Sequence, residues 1–191
     1  MLNLRSFLKK ILEPIAKRLN INPNLITLIS LIIAILSAIS IGTSNILLGS
    51  ILILCSGFFD VLDGAVARCH NKTSKFGAIL DSTMDRFSDA IIIVGFICGA
   101  YISWFIGILA IHSGFIISYI RASSESKGIS NSVGISKRAV RLIILMISLL
   151  VGLVNTDYIQ FIVIFLVILS YFTAVQRLFH AWKHCKESKH F

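Results

Sequence analysis

The stretch DVLDGAVARCHNKTSKFGAILDSTMD, from Asp60 to Asp85, is the part of this sequence that decides the fold. Five of the nine acidic residues in the chain of 191 residues fall between Asp60 and Asp89. Asp60 and Asp63 are three positions apart, and Asp81 and Asp85 are four apart. On a helix each pair would share one face, so two antiparallel helices would bring four carboxylates together.

Four carboxylates in one low-dielectric pocket would repel one another and take up protons. Divalent cations resolve that conflict, and a ligand set made only of oxygen atoms indicates a hard ion such as Mg²⁺, Mn²⁺ or Ca²⁺. Gly64 and Gly77 lie near these acids, where a missing side chain allows close helix packing or a close ligand. Arg68 adds a fixed positive charge that suits a phosphate. Together these residues indicate a metal-bound diphosphate.

The composition indicates an integral membrane protein. The chain is 56% hydrophobic, with a mean hydropathy of +0.88, which excludes an ordinary soluble domain of this size. The formal net charge of +9 suits an anionic lipid surface or a substrate that carries phosphate. We therefore expect the lipid bilayer as a partner, and no nucleic acid.

Apolar runs separated by short polar links predict an all-α protein with six transmembrane helices. The runs cover residues 25–41, 46–68, 76–99, 103–119, 142–154 and 158–176. Residues 1–20 place apolar side chains at helical spacing among basic ones, which predicts an amphipathic helix on the membrane surface. We assign residues 21–183 to one membrane domain and residues 184–191 to a basic tail. The chain from Arg177 onward is expected to be exposed.

The basic residues predict how the chain is oriented. In the six-helix arrangement, all 18 Lys and Arg residues lie on the side of the two termini, and the three opposite turns contain none. The positive-inside rule therefore places both termini and the aspartate cluster at the cytoplasmic face of the cell membrane.

The fixed residues of the opening stretch resemble the signature of the CDP-alcohol phosphotransferase family. The matching positions are Asp60, Asp63, Gly64, Ala67, Arg68, Gly77, Asp81 and Asp85. Members of this family look like six-span membrane enzymes that move a lipid phosphoryl group from a CDP-linked donor to an alcohol and release CMP. The resemblance also implies a homodimer and two bound divalent cations, Mg²⁺ or Mn²⁺.

The same resemblance assigns roles to individual acids. It implies that Asp60, Asp63 and Asp81 are metal ligands. Asp85 would bind the second metal and also take the proton of the acceptor alcohol. Asp89 lies outside the signature, and we expect it to form a supporting hydrogen bond or to pair with Arg86.

The CDP-linked lipid is expected to bind beside these acids. The positions that the resemblance assigns to it are Pro23, Asn24, Thr27, Gly64, Ala67, Arg68, Ser74 and Gly77. The segment from Pro23 to Thr27 is also typical of a helix start, with Asn24 as the N-cap. Both interpretations can hold together.

A basic block after the fourth predicted helix is similar to that of the phosphatidyl- and archaetidyl-inositol-phosphate synthases. Its candidate phosphate-binding residues are Arg121, Lys137, Arg138 and Arg141. Gln176-Arg177, near the end of the sixth helix, also fits this subgroup. An acceptor that carries its own phosphate needs two or three cations to bind it, so we expect inositol phosphate as the acceptor. The same chemistry with glycerol 3-phosphate or serine remains open.

Two functions from other classes also remain open. A small divalent-cation transporter would carry its acids at the bilayer midplane, whereas these fall near one end of their helices. That function also leaves Gly64, Ala67, Arg68 and Gly77 without a role. A catalytically silent membrane scaffold is disfavoured because no acid of the signature is replaced.

Overall fold

The computed structural model describes residues 12–131 and 133–187, and every regular element in that part of the chain is a helix. The described helices are α1 over residues 12–18, α2 (Pro23–Gly42), α3 (Ile46–Cys69), α4 (Lys75–Cys98), α5 (Trp104–Glu125), α6 (Arg138–Gly152) and α7 (Asp157–Glu187). The predicted all-α class is confirmed for these residues.

Among the described helices, four are long and apolar enough to cross a membrane. They are α2, α3, α5 and α7. The first half of α4 carries several charged side chains, and α6 is only 15 residues long. The structure therefore supports a protein with several membrane-spanning helices, and the count of six spans stays a prediction.

The last helix is longer than the apolar run that predicted it. Because α7 contains neither glycine nor proline, nothing in its backbone ends the helix at residue 176, and it continues to Glu187. The expectation that the chain is exposed from Arg177 onward is wrong at its first residue, because Arg177 is 5% exposed. Residues 184–187 of the predicted tail belong to this helix, and residues 188–191 lie outside the described residues.

The apolar core fills the half of the bundle that lies away from the acidic residues. Helix α2 packs against α3 and α4, α5 packs against α7, and α6 contacts α3 and α7. The largest buried cluster includes Ala34, Ile41, Ile53, Ile92, Phe96, Leu145, Leu149 and Val163. This packing fixes the helices at one end and thereby positions the side chains that they carry at the other.

The surface is apolar and the helix interfaces are partly polar, as expected where lipid replaces water. Large side chains such as Ile32, Leu47 and Phe165 are more than half exposed. Between α2 and α3, the Ser30 hydroxyl donates to the Ser56 carbonyl at 2.9 Å. The Ser56 hydroxyl donates in return to the Ser30 carbonyl at 3.1 Å. Directed hydrogen bonds therefore hold these two helices in register.

Helix α1 packs against the C-terminal end of α3. Its residues Leu12 and Ala16 are buried in a small cluster with apolar residues of α2 and α3. His70 Nε2, just after α3, lies 2.9 Å from the Ala16 carbonyl oxygen. Residues 12–18 of the predicted surface helix are thus helical, while residues 1–11 lie outside the described residues, and contact with a membrane surface stays a prediction.

Helices α2 and α4 lie close together at Gly95. A Cβ atom added there would lie 2.6 Å from the Ala38 carbonyl oxygen and 2.7 Å from the Ala38 Cα. These are backbone atoms that cannot turn aside, so Gly95→Leu is expected to force the helices apart and lower the melting temperature by about 5–10 °C. Thermal unfolding of the detergent-solubilised protein, followed by intrinsic fluorescence, measures this change.

Gly57→Ala is a control for adding a side chain to a helix glycine of the same bundle. A Cβ at Gly57 would meet only the Leu142 Cδ1, at 3.4 Å, which is the mobile end of a side chain. The control should melt within about 2 °C of the wild type. A Gly95→Leu protein that melts as late as the control would contradict the close approach of α2 and α4.

Candidate active site

Among the described residues, three carboxylates converge where α3 ends and α4 begins. Asp60 lies on α3, and Asp81 and Asp85 lie on α4. Each offers one oxygen atom, and these atoms all lie within 4.8 Å of one another. Helices α3 and α4 both pack against α2, and this brings residues that share a helix face in sequence into one half-buried cluster in space.

This acidic cluster has the chemistry of a site for a hard divalent cation. Its donors are carboxylate oxygens, which Mg²⁺ and Mn²⁺ prefer, and they lie close enough together to share an ion. The same closeness would be unfavourable without a positive counter-charge. The residues present therefore fit the predicted cations, and the role of each aspartate as a ligand stays a prediction.

The fourth predicted ligand, Asp63, is held by α2. Asp63 is 4% exposed, and the Thr27 hydroxyl donates to its Oδ2 at 2.5 Å. The Thr27 hydroxyl also lies 3.2 Å from the Pro23 carbonyl oxygen. Thr27 was assigned to the CDP-linked lipid, but its contact in the structure is with an acid of the signature, so it orients that carboxylate beside the cluster.

Three of the residues predicted to bind the CDP-linked lipid meet where α2 and α4 start. A Cβ at Gly77 would lie 3.0 Å from Ser74 Oγ and 3.2 Å from Asn24 Oδ1, so a side chain here would have to displace both of these polar groups. Ser74 is the N-cap of α4, and its hydroxyl accepts a hydrogen bond from the Gly77 N–H at 2.9 Å.

The N-cap of α2 differs from the one predicted. Asn22 holds that position, and its Oδ1 accepts a hydrogen bond from the Asn24 N–H at 3.1 Å. Pro23 occupies the first helical position, where its missing N–H is harmless. The Asn24 side chain is therefore not used as a cap and lies beside Gly77 instead.

Arg68, one turn after Gly64 on α3, folds back over that glycine. A Cβ at Gly64 would lie 3.1 Å from Arg68 Nη1, so the glycine leaves room for the guanidinium. Arg68 is exposed, and Ala67 beside it is half-buried. This end of α3 thus offers an accessible positive charge that lies against the helix backbone.

Arginine side chains from the first turn of α6 close the other side of the acidic cluster. The Arg138 guanidinium forms an ion pair with Asp60 and lies 2.9 Å from Asp85 Oδ1. Arg141 forms an ion pair with Asp89. The two arginine side chains are 12% and 7% exposed, so both charges are largely buried.

Asp89 belongs with these arginines. It pairs with Arg141, and its Oδ1 lies 3.4 Å from Arg138 Nε. Its expected partner Arg86 pairs instead with Asp85, at 3.4 Å. Asp89 thus supports the site, as predicted, but through the α6 arginines. No local pattern links α4 to α6, so the sequence carried no signal for these partners.

The other predicted acceptor residues lie at the rim of the site. Arg121 donates to Glu125 Oε1 at 2.8 Å on an exposed face of α5. Lys137 is the exposed N-cap residue of α6. The structure therefore brings Arg138 and Arg141 to the acidic cluster, whereas Arg121 and Lys137 lie nearer to solvent.

Arg177 is a basic residue that was predicted to be exposed but is buried. It donates to the carbonyls of Ile117 at 2.7 Å and Val133 at 2.9 Å. Arg121 and Arg141 lie within electrostatic range of it. The Gln176-Arg177 pair was noted as typical of one subgroup, and that was the only signal for it in the sequence.

Comparison with known proteins identifies the family. The sequence profile described as CDP-alcohol phosphatidyltransferase matches residues 20–178. This chain belongs to that family. Archaetidylinositol phosphate synthase from Methanothermobacter thermautotrophicus is 40% identical to it over 183 residues, which cover 95% of this chain and 94% of that protein. The predicted enzyme class, a CDP-alcohol phosphotransferase, is confirmed.

Solved structures of the family share this fold. Phosphatidylinositol phosphate synthase from Mycobacterium tuberculosis with CDP-DAG bound superposes with a TM-score of 0.81 at 27% identity, covering 91% of this chain and 94% of that one. The same protein in complex with manganese and citrate gives a TM-score of 0.78 and covers 90% and 88%. Family membership leaves the divalent-cation transporter and the silent scaffold without support.

Proposed function

We propose that this protein transfers the lipid phosphoryl group of a CDP-linked lipid to inositol phosphate and releases CMP. The observation that carries this proposal is the placement of Arg138 against the acidic cluster and of Arg141 against the neighbouring Asp89. Cations held by the carboxylates would bind the CDP diphosphate. An acceptor that carries a phosphate needs additional positive side chains in the protein to bind it. The relatives named above are an archaetidylinositol phosphate synthase and a phosphatidylinositol phosphate synthase.

The CDP moiety would lie along the starts of α2 and α4 and the end of α3. Gly64 and Gly77 let the Arg68 and Ser74 side chains lie close to the helix backbone, where they offer a charge and a hydroxyl to its phosphates. Divalent cations held by Asp60, Asp63, Asp81 and Asp85 would offset the diphosphate charge and stabilise CMP as the leaving group.

In the reaction, the acceptor hydroxyl attacks the phosphorus that carries the lipid. A new P–O bond forms to the acceptor as the P–O bond to CMP breaks. Asp85 takes the hydroxyl proton, and its neighbour Arg86 orients the carboxylate for that transfer. Arg141, fixed by Asp89, binds the acceptor phosphate, with Arg138, Lys137 and Arg121 around it.

The proposal extends to the membrane. Helices α2 to α7 would each span the bilayer, with α1 on its surface and both termini and the site on the cytoplasmic side. The distribution of the 18 Lys and Arg residues supports this orientation. The resemblance to the family also makes a homodimer part of the proposal.

The lipid donor and the acceptor each have an alternative. The relative that is 40% identical makes an archaetidyl product, so a CDP-linked ether lipid is the first donor to test, ahead of CDP-diacylglycerol. Glycerol 3-phosphate carries the same phosphate and is the second candidate acceptor. Serine has no phosphate for the buried arginines to bind.

The test is CMP release by the purified protein in Mg²⁺, with each donor paired in turn with each acceptor. We expect CMP release with inositol phosphate, and little or none with glycerol 3-phosphate or serine. CMP release with glycerol 3-phosphate alone would overturn the proposed acceptor and keep the reaction. The absence of CMP with every pair would overturn the proposed function.

A further inference from the structure

Arg138 occupies the space between the two helices that carry the acidic cluster. It is the first residue of α6, yet its guanidinium reaches α3, where it pairs with Asp60, and α4, where Nη1 lies 2.9 Å from Asp85 Oδ1. Asp60 and Asp85 are two of the three residues whose oxygens lie close enough together to hold a cation. One guanidinium thus contacts the same carboxylates that the cations need.

It is energetically unfavourable for a guanidinium and a divalent cation to contact these two carboxylates at the same time. Both are positive, and in a largely buried site their repulsion is poorly screened. The guanidinium and the cation also use lone pairs of the same carboxylate oxygen atoms. Binding of a cation therefore favours a position of the Arg138 side chain away from Asp60 and Asp85.

The contacts of Arg138 are typical of a side chain that can move from one ionic partner to another. Its Nε lies 3.4 Å from Asp89 Oδ1, but among the described residues neither of these buried atoms has a hydrogen-bond partner. Arg138 is thus held mainly by charge, through one end of its fork. A phosphate that accepted two parallel hydrogen bonds would satisfy the guanidinium better.

Arg141, one turn further along α6, is the fixed member of the pair. It is bonded to Asp89 and lies 3.4 Å from the Ser136 carbonyl oxygen, and it is 7% exposed. Gly114 of α5 lies against its guanidinium, where a Cβ would come within 3.9 Å. Arg141 can therefore receive a phosphate in place, whereas Arg138 has to leave the carboxylates to reach one.

We propose that Arg138 competes with the divalent cation for Asp60 and Asp85, and that a phosphorylated acceptor relieves this competition by taking the guanidinium. Cation and acceptor then bind cooperatively, because each favours the same position of one side chain. The cooperative part rests on the proposed function, since it needs an acceptor that carries phosphate. By linkage, the acceptor raises cation affinity by the same factor as the cation raises acceptor affinity.

Mn²⁺ binding to the full-length purified protein tests the competition without turnover, with free Mn²⁺ followed by electron paramagnetic resonance. Arg138→Gln removes the competing charge and keeps a long polar side chain. We expect it to bind Mn²⁺ about 5- to 150-fold more tightly than the wild type, the usual range of such couplings. Equal or weaker Mn²⁺ binding by the variant would overturn the proposal.

Lys127→Gln is the matched control, because it removes one positive charge from an exposed position in the link between α5 and α6. It should bind Mn²⁺ as the wild type does, and tightening equal to that of Arg138→Gln would reduce the effect to net charge and overturn the proposal. Arg138→Lys keeps the charge without the fork and guards against misfolding of the glutamine variant. Its Mn²⁺ affinity should stay near that of the wild type.

Inositol phosphate supplies the second arm. It should raise the Mn²⁺ affinity of the wild type and leave that of Arg138→Gln unchanged, and equal enhancement of both proteins would overturn the coupling. The CMP assay separates this inference from the proposed function. If CMP forms with inositol phosphate while Arg138→Gln does not tighten Mn²⁺ binding, the inference fails and the function stands. If Mn²⁺ binding tightens without CMP formation from any acceptor, the competition stands and the function fails.

Discussion

Replacing Asp85 by asparagine is expected to lower the rate of CMP release by about 10³-fold, within the range that a positioned general base contributes. Asparagine has nearly the same shape, so it preserves the packing between α3, α4 and α6. It removes the negative charge that faces Arg138 and Arg86, and it cannot accept the acceptor proton. The initial rate of CMP release at saturating donor and acceptor measures the loss.

Thr83→Ala on the same helix is the control for Asp85→Asn. The Thr83 hydroxyl donates to the Ile79 carbonyl of its own helix at 2.8 Å, and the side chain is exposed. This control should keep the wild-type rate within about two-fold. An Asp85→Asn protein within ten-fold of the wild type would rule out Asp85 as the base.

Chelation of divalent cations by EDTA is expected to abolish CMP release. Cation assistance contributes several kcal/mol to charge stabilisation in the transition state, so the rate should fall by about 10³-fold or more. The structure supplies a second reason, because the Asp60, Asp81 and Asp85 oxygens within 4.8 Å of one another would repel an incoming diphosphate.

Dialysis against EDTA, followed by a titration with Mg²⁺ or Mn²⁺, checks this expectation. Activity should return with either ion, because both accept an all-oxygen ligand set. Arg138 partly neutralises the carboxylates by itself, so the helices should stay folded after chelation. Full turnover in excess EDTA would show that the acidic cluster works without cations.

The parts of the fold that could be predicted are those that local sequence encodes. Helices α2, α3 and α4 begin and end within a few residues of the predicted runs, because Pro23 and Gly42 and the polar links between the runs mark their ends. The N-cap at Asn22 was also within reach of the sequence, since proline favours the first helical position and points to the residue before it as the cap. The burial of Arg177 could not be predicted, because a basic residue after an apolar run is usually exposed.

The candidate site divides in the same way. The spacing of Asp60, Asp81 and Asp85 follows from helix periodicity and was predictable. The position of Arg138 among these carboxylates could not be predicted, because the approach of α6 to α3 depends on the packing of the whole bundle. The contact between Thr27 and Asp63 was likewise hidden, since each residue had been given a separate role.

The reciprocal bonds between Ser30 and Ser56 bear on the conditions under which this enzyme works. Lipid tails and buried leucines are equally apolar, so hydrophobic contacts alone would not select helix partners in a bilayer. The two serine bonds are directed, and they do not depend on the length or linkage of the surrounding tails. Asp60 and Asp63, one and two turns after Ser56 on α3, are therefore expected to keep their positions even as the bilayer around the enzyme changes in composition with its own product.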